Sequence, residues 1–598
     1  MKKLLLSGFA LSCVFFSAQQ QDIEEVVVKG KFFSTPITKV PENITVISKK
    51  QIQESPARSV ADLLQYFTGM DLRRRGMNDV QTDLSIRGSS FEQVLVLING
   101  IKMNDAQTGH NTFNLPFDMA SIDRVEIIKG PAARRFGQNA YGGVINIITN
   151  VGKDNVYQIN AAGGDFKTWS LGASADFGNE NFGNFIQVGK AESAGYRFNT
   201  DSDVQNIWYQ NQFKIKDANF KMQAGFTEKK FGANGFYSSP LAKDQYEETQ
   251  TSLVSASYDQ SFGNFGVNAN VYWRRGQDMY LFNRVKPEIY RNMHIGNNIG
   301  GELNTSYVSS LGKSGLGVEF RNEALRSNNL GERERFITQV FFEHQISLLD
   351  QKLNIIPGVS WANYPGTGNF FYPGLDVGYN LDDHSKIYGN LAKTNRIPTY
   401  TDLYYVSKTE TGNPNLKPEN AWNYEIGYQY QRANSLLKVS GFGRNTDNAI
   451  DWTKDSLAAI WRAENISNIK TLGFETEIAQ KFNWIVNSLS VGYTYLDNKI
   501  NREDQAFSKY VLDNLRHQFN AKLHAKYWRF GTEVVYRYNE RIALGSYNLL
   551  DAKLNYQTDK LNIYLLVNNI TNAEYTETSL VPMPGRWFML GFTFKNKF

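Results

Sequence analysis

The sequence predicts a membrane all-β fold, a large antiparallel transmembrane β-barrel filled by an N-terminal α/β plug domain. Three observations carry that expectation. Aromatic residues make up 14% of the 598 residues, with 32 Tyr and 39 Phe, although the mean hydropathy is only −0.44. Segments of strict apolar–polar alternation recur from about residue 151 to the end. Residues 40–150 instead mix a helical period with uninterrupted apolar runs. Barrel strands place apolar side chains on lipid and polar ones on the lumen in turn, with aromatic girdles at both interfaces, so their average is aromatic yet hydrophilic.

At the N-terminus, Lys2 and Lys3 precede an apolar run over residues 4–16 and a small-residue exit at Ser17 and Ala18. This is the pattern of a secretory signal peptide over residues 1–18, too short to cross a bilayer that requires roughly 20 apolar residues. Cys13 is the only cysteine and lies inside it, so the processed chain has no thiol. Lipidation of Cys13 is the sharper alternative, but Val14, Phe15 and Phe16 continue the apolar run, and Ala10 stands where a lipoprotein signal has a larger aliphatic residue. No later apolar run approaches the length of a membrane helix. Secretion and a net charge of only +5 argue against a nucleic-acid partner.

Residues 19–39 form a periplasmic segment holding Asp22, Ile23, Glu24, Glu25, Val26, Val27 and Val28. An extended acidic–apolar segment of this kind can add a strand to a partner's sheet edge through main-chain hydrogen bonds. In the plug, residues 40–150, Ser59 and Asp62 form a helix start. Val60, Leu63, Leu64 and Phe67 fall at i, i+3, i+4 and i+7, and Gly69 supplies the stop. The run Val94, Leu95, Val96, Leu97, Ile98 lacks polar alternation and ends at Asn99-Gly100, which predicts a strand covered on both faces and then a tight turn. Further strands are expected at 125–128 and 143–148.

The barrel, residues 151–598, shows its phase directly. Leu489, Val491, Tyr493 and Tyr495 are expected on lipid, as are Val267, Ala269, Val271 and Trp273, and Leu561, Ile563, Leu565 and Val567. In the last segment Phe588, Leu590, Phe592, Phe594 and the terminal Phe598 share one face, which would stay uncovered in a soluble sandwich. About 450 residues make a barrel wide enough to need filling.

Taken together, these motifs resemble the TonB-dependent outer-membrane receptors. The plug carries Asn43-Ile44-Thr45-Val46-Ile47-Ser48, Asp62-Leu63-Leu64, Ile86-Arg87-Gly88, the run ending in Asn99-Gly100, Arg124-Val125-Glu126-Ile127-Ile128-Lys129-Gly130-Pro131 and Gly142-Gly143-Val144-Ile145-Asn146-Ile147-Ile148-Thr149. The barrel adds Gly412-Asn413-Pro414-Asn415-Leu416-Lys417-Pro418-Glu419, Gly473-Phe474-Glu475-Thr476-Glu477 and Val567-Asn568-Asn569-Ile570-Thr571-Asn572. The resemblance covers essentially the whole processed chain and implies 22 strands in the cell outer membrane. It also implies active uptake of a scarce, bulky solute, no enzymatic activity, and a TonB box at residues 22–28. An outer membrane has no ATP, so work must arrive by a pull on such a segment from the inner-membrane TonB complex. The resemblance further sets Arg87 against lumen-facing barrel glutamates, for which the strand phase offers Glu425, Glu475 and Glu477. Lys129 departs from the family pattern, where Arg precedes Gly-Pro, which removes a bidentate contact.

For the cargo, the plug loops bearing Arg73, Arg74, Arg75, Gln107, His110 and Asn111 are implied to touch substrate. Overall length and the Gln107-Thr108-Gly109-His110 region look most like the cobalamin-receptor branch, including its Bacteroidetes relatives, and cobalamin leads over a ferric siderophore or other iron complex. Thr200-Asp201-Ser202-Asp203 resembles that branch's calcium loop, with Asp201 and Asp203 as oxygen ligands; this loop is shorter and lacks an upstream aspartate. No covalent cofactor is expected. A surface-exposed binding lipoprotein is a candidate partner beside TonB and outer-membrane lipid. A passive porin or adhesin-like barrel is the alternative of another class, though a porin needs neither plug nor coupling box. A signal-transducing receptor would carry a folded domain before the box, and a surface enzyme would show a nucleophile motif or His-rich metal spacing.

Overall fold

The computed structural model describes residues 27–29, 31–36, 40–78, 80–237, 242–456, 458–466, 468–500, 507–510, 514–578 and 581–598. The expected signal peptide and residues 22–26 of the expected TonB box lie outside them. Twenty-two antiparallel strands, each hydrogen-bonded to its neighbour along the chain, close into a barrel. Closure joins the first strand, Val156–Gly164, to the last, Trp587–Lys597, from Val156 opposite Lys597 to Gly164 opposite Met589. The strands run from 8 residues (Leu561–Asn568) to 19 (Arg291–Ser309). A tilted strand crosses a bilayer in about 9–11 residues, so the longest project beyond the lipid.

Alternation places the side chains as the sequence predicts. Val271 and Trp273 are exposed while the alternating Tyr272 and Arg274 are buried, and Phe588, Leu590 and Phe592 are exposed around a buried Met589. Joining turns are short throughout the periplasmic rim, whereas the long connections all lie at the outer rim. The long loops build more than the sequence suggests: Glu410–Thr411, Trp461–Ile466, Ala449–Lys454 and Phe507–Ser508 form a four-stranded sheet over the outer mouth.

Inside the barrel sits the plug, whose mixed sheet runs in the order Ile44–Ser48, Ile122–Lys129, Gly143–Thr149, Val94–Ile98, Ile101–Lys102. Val94–Ile98 is buried throughout and pairs parallel with Gly143–Thr149, as its unbroken apolar run requires. Asn99 and Gly100, both at positive φ (51° and 89°), make the tight turn into Ile101–Lys102. The helix predicted from Val60 is shorter than its apolar period. It covers Val60–Leu64, capped by Ser59, whose side chain accepts from the Asp62 amide. Phe67 therefore lies past its end. Plug core residues Ile47, Leu63, Val96, Ile127 and Ile145 pack in one cluster with barrel residues Trp208, Leu253, Tyr272 and Val535.

Candidate transport site: plug apex, latches and coupling arm

The strand Met70–Arg74 carries the arginine run to the outer end of the plug, antiparallel to Thr82–Ile86. Each arginine there is engaged by a carboxylate. Arg74 donates to Glu577 of an outer loop through Nε and Nη2 (2.9 and 2.6 Å) and to Asp62 through Nη1 (2.7 Å). Arg75 donates to Asp83 (2.7 Å), and Arg73 lies 3.5 Å from Asp71 while donating to Asn514 (3.0 Å). Asp83 also holds His110 through Nδ1 (2.7 Å). Burial alone would raise the Asp83 carboxyl, but His110 and Arg75 together hold it well below the usual carboxylate range. The His110 ring stacks on Phe91 at 4.5 Å, and Phe91 meets Tyr510 of an outer loop edge-on.

Gln107 and Asn111 converge on one barrel carboxylate oxygen, Asp278 Oδ2, at 3.0 and 3.4 Å. The six residues expected to touch substrate are thus gathered at the outer face of the plug. Each makes at least one hydrogen bond or ion pair to a plug or barrel partner, although Nε of Arg73 and of Arg75 is buried without a hydrogen-bond acceptor, and Arg73, Arg74, Arg75 and Gln107 are buried.

Deeper in the lumen, Arg87 donates to Glu425 through both terminal nitrogens (2.9 and 3.0 Å) and to Glu475 through Nη2 (2.9 Å). Its guanidinium also covers the Phe442 ring at 4.1 Å. Burial opposes this charge, but the two glutamates keep the guanidinium protonated far above its ordinary range. Arg87 adopts φ 52° just past its strand and Gly88 φ 69°, so the chain turns sharply to aim the side chain outward. Gly69, at φ 73°, sits so close that a Cβ there would overlap the Glu475 carboxylate. Lys129 makes the single contact expected of an ammonium, 3.2 Å to Glu475. Glu477 faces the lumen in phase with Glu475, but the hydrogen bonds of the Arg87 side chain go to Glu425, Glu475 and Ser440.

A second charged latch has no counterpart in the sequence reading. Arg134 and Arg135, on the short plug helix Ala133–Phe136, meet Glu42 of the plug together with Glu343 and Asp376 of the barrel. Arg134 is 1% exposed, among the largest fully buried side chains described. Glu343 and Asp376 lie 209 and 242 residues from Arg134 in the chain, and only the fold brings them together. A third contact joins Lys102 to Glu319 at 2.6 Å.

Of the coupling segment, Val27 and Val28 are described: Val27–Lys29 pairs antiparallel with Ser34–Pro36. The hairpin is tethered to the wall by Lys31, which lies 3.0 Å from Glu302 and over the Phe341 ring, and by Phe32, which packs on Gly315 and Gly317. The expected calcium pair is arranged differently from a binding loop. Asp201 is paired with Arg284 at 2.7 Å, and Asp203 lies 3.5 Å from Lys190, on the strand face that carries exposed Ile207 and Tyr209 toward lipid. Among the described residues no three His, Cys, Asp or Glu side chains gather in a metal-holding group.

Comparison with known proteins places this geometry. Residues 129–570 match the family described as TonB dependent receptor-like, beta-barrel, and residues 36–144 match the TonB-dependent Receptor Plug Domain. The vitamin B12 transporter BtuB of Vibrio vulnificus is 26% identical over 630 residues, with 97% of each chain covered. Among solved structures, a mutant of the ferric enterobactin receptor of Pseudomonas aeruginosa superposes with a TM-score of 0.78 at 16% identity, covering 96% of this chain and 100% of that one. The copper transporter OprC does so with 0.79 at 15%, covering 92% and 100%. At these identities the solved structures share the fold with this chain. With both family matches in chain order and a closed 22-stranded barrel around a plug, the chain belongs to the TonB-dependent receptors, the outer-membrane transporters energised through TonB.

Proposed function

We propose that the cargo is a cobalamin-like corrinoid. The observation that carries this reading is the charge state of the plug apex. Arg73, Arg74 and Arg75 are each answered by a carboxylate, so the partly exposed groups at the outer face of the plug are the His110 imidazole, the Asn111 amide and the Tyr510 phenol rather than a free cationic basin. Such a surface suits a large cargo bound through many neutral hydrogen bonds and ring contacts. A polyanionic ferric chelate would need those arginines released, at the cost of leaving buried Asp62, Asp83 and Glu577 unpaired. The whole-length likeness to proteins named vitamin B12 transporters supports the same reading.

Titration of the purified protein with cobalamin and with a panel of ferric siderophores, each with and without calcium, tests it. Micromolar or tighter cobalamin binding is the expected result. Absence of cobalamin binding in both conditions, with a siderophore bound instead, contradicts it. A calcium effect on affinity would require Asp201 to exchange Arg284 for the ion, and a surface lipoprotein partner would have to dock on the outer loops.

A further inference from the structure

The imidazole of His110 is held from several directions at once. Asp83, whose side chain is 2% exposed, divides its two oxygens between Arg75 Nη1 (2.7 Å to Oδ2) and His110 Nδ1 (2.7 Å to Oδ1). The carboxyl stays ionised beside Arg75, so it accepts the Nδ1 proton and fixes the tautomer. In the neutral ring the lone pair then lies on Nε2. Phe91 stacks on one ring face, with 21° between the planes, and Tyr510 stands beside the ring at 6.2 Å, so its rotation is restricted. The backbone is braced as well, the His110 N–H donating to Thr108 Oγ1 at 3.4 Å. Nε2 makes no hydrogen bond among the described residues, and the His110 side chain keeps 18% of its surface exposed at the outer face of the plug. Metal-ligating histidines carry the same support, a carboxylate on one ring nitrogen that orients the ring and raises the basicity of the other.

One imidazole is too few to hold a bare ion, and no metal-holding group gathers around it among the described residues. The metal it suits is one that arrives already chelated in a plane, with an axial position open to exchange. A ferric ion wrapped on all sides by its chelator has no such position. The other histidines stand elsewhere. His294 is buried in the wall and bonded to Ser327, His517 is bonded to Tyr493 on the lipid side, and His344, His384 and His524 lie toward the periplasmic ends of their strands. We propose that His110 Nε2 becomes an axial ligand to the cobalt of a bound corrinoid whose outer axial position carries an exchangeable water. The Nε2 lone pair forms the Co–N bond as the Co–O bond breaks. The water leaves neutral, the cobalt stays trivalent, and the Nδ1 proton stays on its hydrogen bond to Asp83. This inference rests on the corrinoid reading above and adds to it a preference: a corrinoid that carries cyanide in that position keeps it and is held by the remaining contacts alone.

Titration of the purified full-length protein with aquocobalamin and with cyanocobalamin, followed by near-ultraviolet and visible spectra, tests it. Bound aquocobalamin should take the band positions that the free compound shows in excess imidazole, while bound cyanocobalamin keeps those of its free form. H110A should abolish the shift and weaken aquocobalamin at least about tenfold more than cyanocobalamin, whose remaining binding shows that the variant plug is folded. Aquocobalamin bound with its spectrum unmoved overturns the ligation and leaves the corrinoid reading standing. A shift that persists in H110A also overturns it, because another donor would then hold the cobalt. If neither corrinoid binds, the reading itself falls, and the ligation with it.

Discussion

Arg87 sits where two buried carboxylates converge, and its removal leaves both unpaired in the lumen. R87A should destabilise plug seating by about 3–5 kcal/mol, the usual cost of breaking a buried pair from one side. R87K should recover only part of that, because an ammonium cannot bridge both glutamates as a fork does. Thermal unfolding of the plug, followed by protease sensitivity, reads both. The family resemblance set Arg87 against lumen-facing glutamates, and the phase of the strands offered Glu425 and Glu475 because each alternates with lipid-facing residues. Glu477 shares that phase but lies a further inward step along the strand, and sequence phase cannot measure reach. Arg134 and Arg135 were not legible, because Ala-Arg-Arg-Phe reads like any solvated helix turn until Glu343 and Asp376 are folded over it. Glu42 and Asp83 are buried in the arginine networks. Burial favours their neutral forms, but the cations outweigh it and hold both carboxyls below their ordinary values. A carboxyl depressed in the folded state stabilises above its unfolded value and loses that contribution as pH falls. These two carboxyls should thus lower the plug's melting temperature below about pH 4, whereas the buried Asp118 carboxyl, pushed up to about 6, favours the fold as it protonates between pH 7 and 5; an acid limb that E42Q leaves unchanged contradicts the assignment.

At the scale of elements, the coupling hairpin Val27–Lys29 with Ser34–Pro36 is moored by Lys31 and Phe32. Freeing it should expose the segment to its partner. K31A is expected to raise affinity for the periplasmic domain of TonB about fivefold, the equivalent of ~1 kcal/mol for one partly buried ion pair, measured by calorimetry on the receptor in detergent. Unchanged affinity would mean the mooring does not restrain the arm. The elements themselves were unevenly legible. The apolar run of Val94–Ile98 and its Asn99-Gly100 turn are local signals, and both appear as predicted. The helix from Ser59 ends at Leu64 because packing against the barrel, not the i+7 apolar position, decides where Phe67 goes. The outer four-stranded sheet joins segments from three separate loops, which no local pattern announces.

For the whole molecule, alternation and the terminal aromatic face gave the barrel, and the change of pattern near residue 150 gave the plug. Strand number came from resemblance, since periodicity sets the phase of a strand and not the size of the ring; the closed sheet has 22 strands. Cargo was least legible because its candidate contacts, Gln107, His110 and Asn111, are loop residues whose partners, Asp83 and Asp278, are set by the tertiary fold. This plugged barrel should work only when its N-terminal segment is pulled. Deleting residues 22–28 tests it most directly, by comparing binding and uptake of radiolabelled cobalamin in cells expressing either form. Binding should persist at the level of the intact protein while uptake falls to background; uptake that survives the deletion would contradict the account.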